Sequence, residues 1–290
     1  MNSRERIYMA LELKIPDRIP ITEFSYWPQT IERWHKEGLP ENTDPITYLE
    51  MDKFLFMSYD DSLCLKGKIL SETEDKIISV DSDGATFAHW KNRYGPPQPL
   101  DFLIKKDEDW FRYKDILAPD EARLGKDFVE NYRKLRKLDG FLCLSQREPC
   151  WKVLAAMTGV ENGLILMLRR PQLIYDMIET YTNLMLGMYE IMADKGVEID
   201  GLYLRGDLAY KNGMLFSPEL YRRLLYPNHR KITKFFRSRG MSVIHHIDGD
   251  VRQYIPLIIE SGFSAIEPLE CRANNDIREL KEKWGKKIAF

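Results

Sequence analysis

Apolar runs that fit buried β-strands recur along the chain and alternate with stretches of helical spacing. Seven runs fit strands, near residues 18, 53, 141, 201, 241, 265 and 286. Most are followed by a helical stretch, as where Ser217-Pro218 supplies an N-cap and a first-turn proline. Regular alternation of strand and helix predicts a parallel sheet, and eight such units close a (β/α)8 barrel. The pattern therefore predicts an α/β barrel whose last strand and helix lie beyond Phe290.

Residues 69–95 depart from this alternation. Short alternating stretches on either side of residues 81–84, Asp-Ser-Asp-Gly, predict a β-hairpin, and Pro96-Pro97 closes it. We interpret about residues 62–135 as an insertion that contains this hairpin, carried on a single barrel domain of residues 1–290.

Composition excludes several classes of protein. The 290 residues include 43 basic and 45 acidic side chains, and a net charge of -2 creates no global field that would attract nucleic acid or an anionic membrane. The amino terminus lacks the apolar core of a signal peptide, and no run approaches a membrane span. The four cysteines form no CxxC pair. We expect a cytoplasmic, soluble protein with reduced thiols and a small-molecule substrate.

Ionisable side chains stand just past the carboxyl ends of the predicted strands. In a parallel barrel these ends meet at one face, where active sites form. The residues at these positions are Glu23, Asp60, Asp61, Arg147, Glu148, Arg205, Asp207, His246, Asp248, Glu267 and Glu270. We predict that this face is the active site. The alternative is that Arg147 with Glu148, or Arg205 with Asp207, are ion pairs that only shape loops.

The stretch His246-Ile247-Asp248-Gly249 ends one predicted strand. An imidazole and a carboxylate two residues apart project from the same side of a strand, so one ligand or proton can interact with both. Together with Glu267 or Cys271 from the next unit, they are candidate ligands for a zinc-like ion. The alternative is a half-buried histidine and an aspartate that serves only the turn before glycine.

Four aromatic residues lie near the same loops: Tyr26, Trp27, Trp151 and Tyr210. They are candidates for an apolar wall of a substrate pocket, although aromatics at such positions also pack a barrel rim. The chain contains no phosphate-binding glycine loop and no nucleophile elbow.

Several motifs resemble those of the uroporphyrinogen decarboxylase superfamily, especially its branch of methylcobamide:coenzyme M methyltransferases. They are Asn-Ser-Arg-Glu-Arg at 2–6, Pro-Asp-Arg-Ile-Pro at 16–20, Trp-Lys-Asn-Arg-Tyr-Gly at 90–95, Asp-Leu-Ala-Tyr-Lys-Asn-Gly at 207–213, Ser-Pro-Glu-Leu at 217–220, His-Ile-Asp-Gly at 246–249, Pro-Leu-Glu at 268–270 and Asp-Ile-Arg-Glu-Leu at 276–280. The resemblance covers nearly the whole chain and implies a (β/α)8 barrel whose members continue past the position of Phe290.

Two departures from the superfamily bear on activity. Uroporphyrinogen decarboxylases resemble one another in an Arg-Gln-Ala-Gly-Arg turn that grips the substrate carboxylates, but residues 24–30 here contain no arginine. Members of the methyltransferase branch resemble one another in a His-x-Cys zinc motif that is completed by a later cysteine. In this chain Asp248 stands at the position of the first cysteine. A carboxylate in place of a thiolate is a harder ligand and leaves a metal more Lewis acidic.

The resemblance implies a corrinoid-linked methyltransferase that moves a methyl group between a methyl-corrinoid protein and a small acceptor. The expected metal ligands are His246 and Asp248, with zinc as the candidate ion. Our candidate site residues are Asp207, Glu148, Arg147 and Asp60 for orienting the ligand or moving a proton, and Tyr26, Trp151, Arg205, Tyr210 and Glu267 for binding it. A corrinoid protein is the expected partner, and a second copy in a homodimer is a further candidate.

Two other functions stay open. A decarboxylase of uroporphyrinogen or a related carboxylate would need no cofactor, with Asp207 or Asp60 stabilising a protonated pyrrole. A non-catalytic, truncated barrel that binds a ligand or partner is the third interpretation.

Overall fold

A parallel sheet surrounded by helices forms the centre of the computed structural model, which describes residues 1–24, 26–93 and 95–290. The strands are β1 (Phe54–Met57), β2 (Lys68–Glu72), β3 (Lys76–Val80), β4 (Thr86–Trp90), β5 (Gln98–Asp101), β6 (Phe141–Arg147), β7 (Gly201–Arg205), β8 (Ala209–Tyr210), β9 (Gly213–Met214), β10 (Ser242–His246) and β11 (Ala265–Glu267). The central sheet has the order β1-β6-β7-β10-β11, and neighbouring strands within it run parallel.

Helices connect and cover these strands. They are α1 (Ser3–Leu11), α2 (Pro28–Glu37), α3 (Pro45–Tyr48), α4 (Asp107–Tyr113), α5 (Phe128–Arg136), α6 (Trp151–Thr158), α7 (Val160–Arg169), α8 (Pro171–Asp194), α9 (Pro218–Leu224), α10 (Tyr226–Arg237), α11 (Ile255–Ser261) and α12 (Ile277–Trp284), with short 3-10 turns at Lys114–Leu117, Glu121–Arg123 and Cys271–Ala273. No single helix of the described residues is long and apolar enough to cross a membrane, although α6 and α7 together, bent by 110°, meet the criteria of length and composition.

The predicted α/β architecture with a parallel sheet is confirmed. Strands form where the sequence predicts them near residues 53, 141, 201, 241 and 265. Near residue 286, where the sequence predicts a strand, the structure has only an isolated parallel bridge between Ala289 and Ala265. Within the described residues β1 and β11 are the edges of the central sheet, so the closed eight-stranded barrel stays a prediction.

The predicted first strand at residues 18–24 is wrong. This segment has no strand in the structure and is largely exposed, with Ile19 at 82%. Its backbone is held instead by Asp52, whose amide donates to the Ile21 carbonyl at 2.6 Å and whose carboxylate accepts from the Ile21 amide at 3.0 Å. Pro20 lacks the amide hydrogen that a strand ladder needs, which accounts for the failed prediction.

The amino-terminal motif that resembles the superfamily has a structural role. Asn2 and Glu5 form a capping box that begins α1. Arg6 then binds Asp17, 2.7 Å from its Nε, and also pairs with the buried Asp52. This motif therefore ties α1 to the chain segment that leads into β1.

Side chains of the central strands alternate between two apolar layers. In β6, Leu142 and Leu144 face the cluster beneath the helices, whereas Phe141 and Cys143 belong to a second cluster that includes Tyr203. We call the side of the second cluster the inner face. The register aligns Arg147, Arg205, His246 and Glu267 as neighbours at the carboxyl ends of β6, β7, β10 and β11.

An antiparallel sheet of β2, β3, β4 and β5 lies between β1 and β6 in the sequence. Its β3–β4 hairpin turns around Asp81 and Gly84, where the sequence analysis places a hairpin. Arg147 joins this sheet to the central one, because its guanidinium binds Asp61, 2.8 Å away, and also pairs with Asp83 of the hairpin turn. The assignment of residues 62–135 as an insertion on one domain stays a prediction.

Candidate functional site

The His246 ring is oriented by two groups on the inner face. Its Nδ1 lies 2.8 Å from Oε1 of Glu267 and 3.1 Å from the hydroxyl of Tyr203, which donates to the same Glu267 oxygen. Because a carboxylate only accepts hydrogen bonds, the Nδ1–H of His246 donates to Glu267. The lone pair of a neutral His246 ring is then on Nε2, which is free to bind another group.

Two carboxylates face Nε2 of His246. Oδ1 of Asp207 lies 3.9 Å away and Oδ1 of Asp248 lies 3.8 Å away, and the three atoms are all within 4.8 Å of one another. These distances are too long for hydrogen bonds, whereas zinc bonds of about 2.0–2.2 Å place tetrahedral ligands roughly 3.4 Å apart. We call Asp207, His246 and Asp248, as candidate metal ligands, the metal cluster.

Asp207 provides a test of whether a metal fits there. Its Oδ1 is shielded from solvent, and in the part of the chain that the structure describes no hydrogen-bond donor reaches it. A buried carboxylate oxygen without a partner is costly, and a cation would satisfy it. The donor set of one imidazole and two carboxylates suits zinc or manganese. The structure thus brings Asp207 to the two predicted ligands, where the sequence analysis named Glu267 or Cys271 as the third.

The turn at Gly249 presents Asp248. The Gly249 amide donates to Oε2 of Glu270 at 2.5 Å, and the buried Asn275 side chain donates to the Gly249 carbonyl at 2.9 Å. Gly249 has φ +97°, and a Cβ at this position would lie 2.7 Å from the backbone of Tyr210. Glycine is therefore required both by the conformation and by the close approach of the neighbouring loop.

We expect Gly249→Ala to lower the free energy of unfolding by more than Gly240→Ala does. Gly240 has φ +80°, and no atom lies within 4 Å of the position that a Cβ would take, so its substitution carries only the left-handed strain of about 1–2 kcal/mol. Gly249→Ala adds a clash with backbone, which cannot move aside as a flexible side chain does. Urea denaturation of the two variants measures the difference, and equal losses would contradict the close packing of this turn.

Electrostatics at the metal cluster follow from crowded carboxylates. Burial alone would lower the pKa of His246, but the hydrogen bond and charge of Glu267, together with Asp248 and Asp207, raise it above the usual range. Burial is also the main reason that the pKa of Asp248 is raised, although His246 opposes this shift. The crowded carboxylates thus favour positive charge at the position of His246.

Glu148, a predicted catalytic residue, lies in the buried layer between β6 and the helices α6 and α10. Its carboxylate accepts from the amides of Cys150, Trp151 and Lys152 at 2.6–3.0 Å, which caps α6, and from Nε2 of His229 at 2.5 Å. Burial would raise the pKa of Glu148, but the charge and hydrogen bond of His229 lower it to about 2. These contacts occupy both oxygens of the carboxylate, and a catalytic role for Glu148 stays a prediction.

Arg147 and Asp60 bind groups outside the metal cluster. Arg147 is bound by Asp61 and Asp83, as described above. These two carboxylates hold its guanidinium between the central sheet and the antiparallel sheet. Asp60 is exposed, and its carboxylate accepts from the Ser62 amide at 2.9 Å. Catalytic roles for both residues stay predictions.

The predicted binding residues are dispersed. Trp151 is only 2% exposed and packs on Phe216, with ring centroids 5.4 Å apart, so it belongs to the core. Tyr26 packs on Trp34 at 4.9 Å. Tyr210 is 49% exposed beside the Gly249 turn, and the exposed Arg205 and half-buried Glu267 flank His246 in the strand register. Of the predicted set, these last three lie beside the metal cluster.

Sequence reasoning missed three residues of this region. Tyr203 orients His246 and Glu267, Lys152 binds Asp207 with Nζ 2.6 Å from Oδ2, and His229 pairs with Glu148. Strand alternation was a usable signal for Tyr203, since it stands two residues before Arg205 on the same face. Lys152 and His229 lie in helices, and no spacing links them to their partners.

Comparisons with known proteins agree with this architecture. The family model described as Uroporphyrinogen decarboxylase (URO-D) matches residues 119–290, more than half of the chain. A solved structure of a methyltransferase from Methanosarcina mazei is similar with a TM-score of 0.65 and 16% identity, covering 99% of this chain and 81% of that one, which shows a shared fold. No curated protein matches the sequence. The chain belongs to the uroporphyrinogen decarboxylase (URO-D) family.

Proposed function

We propose that this protein is a methyltransferase that moves a methyl group between a methyl-corrinoid protein and a small acceptor, at a metal site formed by Asp207, His246 and Asp248. The convergence of these three side chains carries the proposal, because Nε2 of His246 faces two carboxylate oxygens and one of these, Oδ1 of Asp207, is buried without a donor among the described residues. The methyltransferase among proteins of similar fold supports the choice of reaction.

His246 and the two aspartates would hold the ion through Nε2 and through Oδ1 of each carboxylate. Glu267 and Tyr203 fix the ring so that Nε2 faces the site, and hydrogen bonds of this kind orient metal-bound histidines in proteins. A bound zinc ion would act as a Lewis acid that makes the proton of an acceptor easier to remove. The excess negative charge of the cluster would retain the cation.

Arg205 and Tyr210 would bind the acceptor. Arg205 is exposed and ends β7 at the level of His246, where its guanidinium suits a carboxylate or another anionic group. Tyr210 offers an exposed ring beside the turn that carries Asp248. The methyl-corrinoid protein would dock over the same carboxyl ends of the strands, because the methyl group has to reach this site.

Methyl transfer is testable with free methylcobalamin as donor and coenzyme M as acceptor, in zinc-containing buffer. We expect the wild-type chain to demethylate methylcobalamin, followed by its absorbance, and Asp248→Ala to lower the rate by about 100-fold because one ligand is lost. Glu282→Ala, at an exposed position on α12, is the control with a carboxylate removed elsewhere. Equal rates in wild type and Asp248→Ala would contradict the proposed site, and no demethylation by wild type would contradict this donor and acceptor.

A second candidate, decarboxylation of uroporphyrinogen or a related carboxylate, is favoured by one observation. The raised pKa of Asp248, caused mainly by burial, makes this carboxyl a better proton carrier than an ordinary aspartate. Against it, residues 24–30 offer no arginine for substrate carboxylates. Incubation with uroporphyrinogen and chromatography of the oxidised porphyrins separates the two functions, since loss of carboxyl groups occurs only with a decarboxylase.

A further inference from the structure

Asp207 divides its two carboxylate oxygens between different neighbours. Oδ2 lies 2.6 Å from Nζ of Lys152, in the first turn of α6, whereas Oδ1 lies 3.9 Å from Nε2 of His246. The two side chains of this ion pair are each little more than one-third exposed. One oxygen is therefore bound by the ammonium of Lys152, and the other faces His246.

The backbone around Asp207 is fixed independently of Lys152. The Gly206 amide donates to the His246 carbonyl at 3.0 Å, and the Leu208 amide donates to the Gly206 carbonyl at 3.1 Å. Gly206 also packs against Glu148, since a Cβ on Gly206 would lie 2.5 Å from the Glu148 Cβ. With the main chain held on both sides, the direction of the Asp207 carboxylate depends on its own side-chain torsions, and among the described residues Lys152 is the group that binds it.

We propose that Lys152 is a positioning residue for the metal cluster, which holds Oδ1 of Asp207 toward His246 and Asp248 by binding Oδ2. The inference rests on the proposed metal site. It adds that Asp207 contributes a single oxygen, and that α6 takes part in the site through a side chain which itself does not bind the ion.

Lys152 affects the affinity for a metal in two opposite ways, by repelling the cation and by orienting the carboxylate of Asp207. A measured affinity therefore shows which of the two effects is larger. The ammonium repels a divalent cation, so removing its charge would strengthen metal binding if charge alone mattered. Removing the hydrogen bond frees the carboxylate to rotate, and loss of a partner that orients a ligand weakens affinity by about 10–100-fold. The pair is partly exposed, which screens the repulsion, so positioning is expected to outweigh it.

The test is zinc affinity of the full chain, measured by competition with a chromophoric chelator. We expect Lys152→Met, which keeps an unbranched apolar stem, to bind zinc about 10–100-fold more weakly than wild type, and Lys152→Arg to recover most of the loss. Lys114→Met is the matched control, because Lys114 forms a 2.6 Å pair with Asp176 elsewhere. In an Asp207→Ala background, Lys152→Met is expected to change affinity by less than about twofold, since the effect acts through Asp207.

Zinc binding by Lys152→Met that equals or exceeds that of wild type would overturn the inference while leaving the metal site intact. A wild-type chain that binds no zinc would instead overturn the metal site, and the role of Lys152 with it. Thermal unfolding in chelator controls for the fold, and all the lysine variants are expected to unfold close to wild type because partly exposed ion pairs contribute little stability. If Lys152→Met does not fold, Lys152→Ala takes its place in the same comparison.

Discussion

Replacing His246 by alanine is expected to abolish stoichiometric zinc binding. His246 is the one nitrogen donor of the metal cluster, and its ring is held by Glu267 and Tyr203 so that Nε2 faces both aspartates. Its loss leaves two carboxylates, of which Asp248 is 57% exposed and free to rotate into water. We expect the affinity for zinc to fall by at least about 100-fold, because loss of a residue that only orients a metal ligand already lowers affinity by up to about that factor.

Elemental analysis of protein equilibrated with zinc and then desalted measures this effect. His89→Ala is the matched control, since His89 lies exposed on β4 in the antiparallel sheet. Unchanged zinc content in His246→Ala would remove the ligand assignment and, with it, the observation on which the proposed function depends. A parallel loss in His89→Ala would indicate that the zinc is bound adventitiously.

Glu148→Gln is expected to cause the largest loss of stability among these substitutions. The carboxylate accepts four hydrogen bonds in a fully buried environment, from three amides of the α6 amino terminus and from His229. A glutamine has one acceptor oxygen, and its amide nitrogen would face donors. Breaking one side of a buried pair costs about 3–5 kcal/mol, and urea denaturation at neutral pH measures it. Glu219→Gln, at an exposed position in the first turn of α9, is the control.

The stability difference between wild type and Glu148→Gln is also expected to depend on pH. The pKa of Glu148 is lowered in the folded protein from its ordinary 4.5 to about 2, because the attraction of His229 and the hydrogen bonds outweigh burial. A lowered carboxyl pKa stabilises the fold above pH 4.5, and this contribution is lost as the pH falls toward 2. A shift of this size corresponds to about 3 kcal/mol. A difference that stays constant between about pH 7 and pH 3 would contradict the lowered pKa of Glu148.

Arg147 and Glu148 show why a position at the end of a strand is not enough to predict a site residue. The face of the sheet to which each side chain points also matters. Consecutive residues of a strand project to opposite faces. Arg147 ends β6 at the level of Arg205 and His246, whereas Glu148 is turned into the layer beneath the helices. These two adjacent ionisable side chains therefore lie on different sides of the sheet, even though both stand at the end of one strand.

The local pattern of the sequence determined the elements near residues 53, 141, 201, 241 and 265, because buried strands are continuous apolar runs whatever their neighbours are. It also placed His246 and Asp248 together, since two residues separated by one cannot lie far apart. The resemblance of motifs gave the family, which the match over residues 119–290 confirms.

Tertiary structure alone decided which groups complete the site. Glu267 is the last residue of β11 and Asp207 follows β7, and these two strands flank β10; yet Glu267 binds Nδ1 of His246 and Asp207 faces Nε2. That difference depends on strand register, on ring orientation and on Lys152 of a helix, which lies 55 residues from its partner. Contacts of this kind join segments far apart in the chain, so no local spacing encodes them, and only packing of the strands against α6 and the loops brings them within a few ångströms.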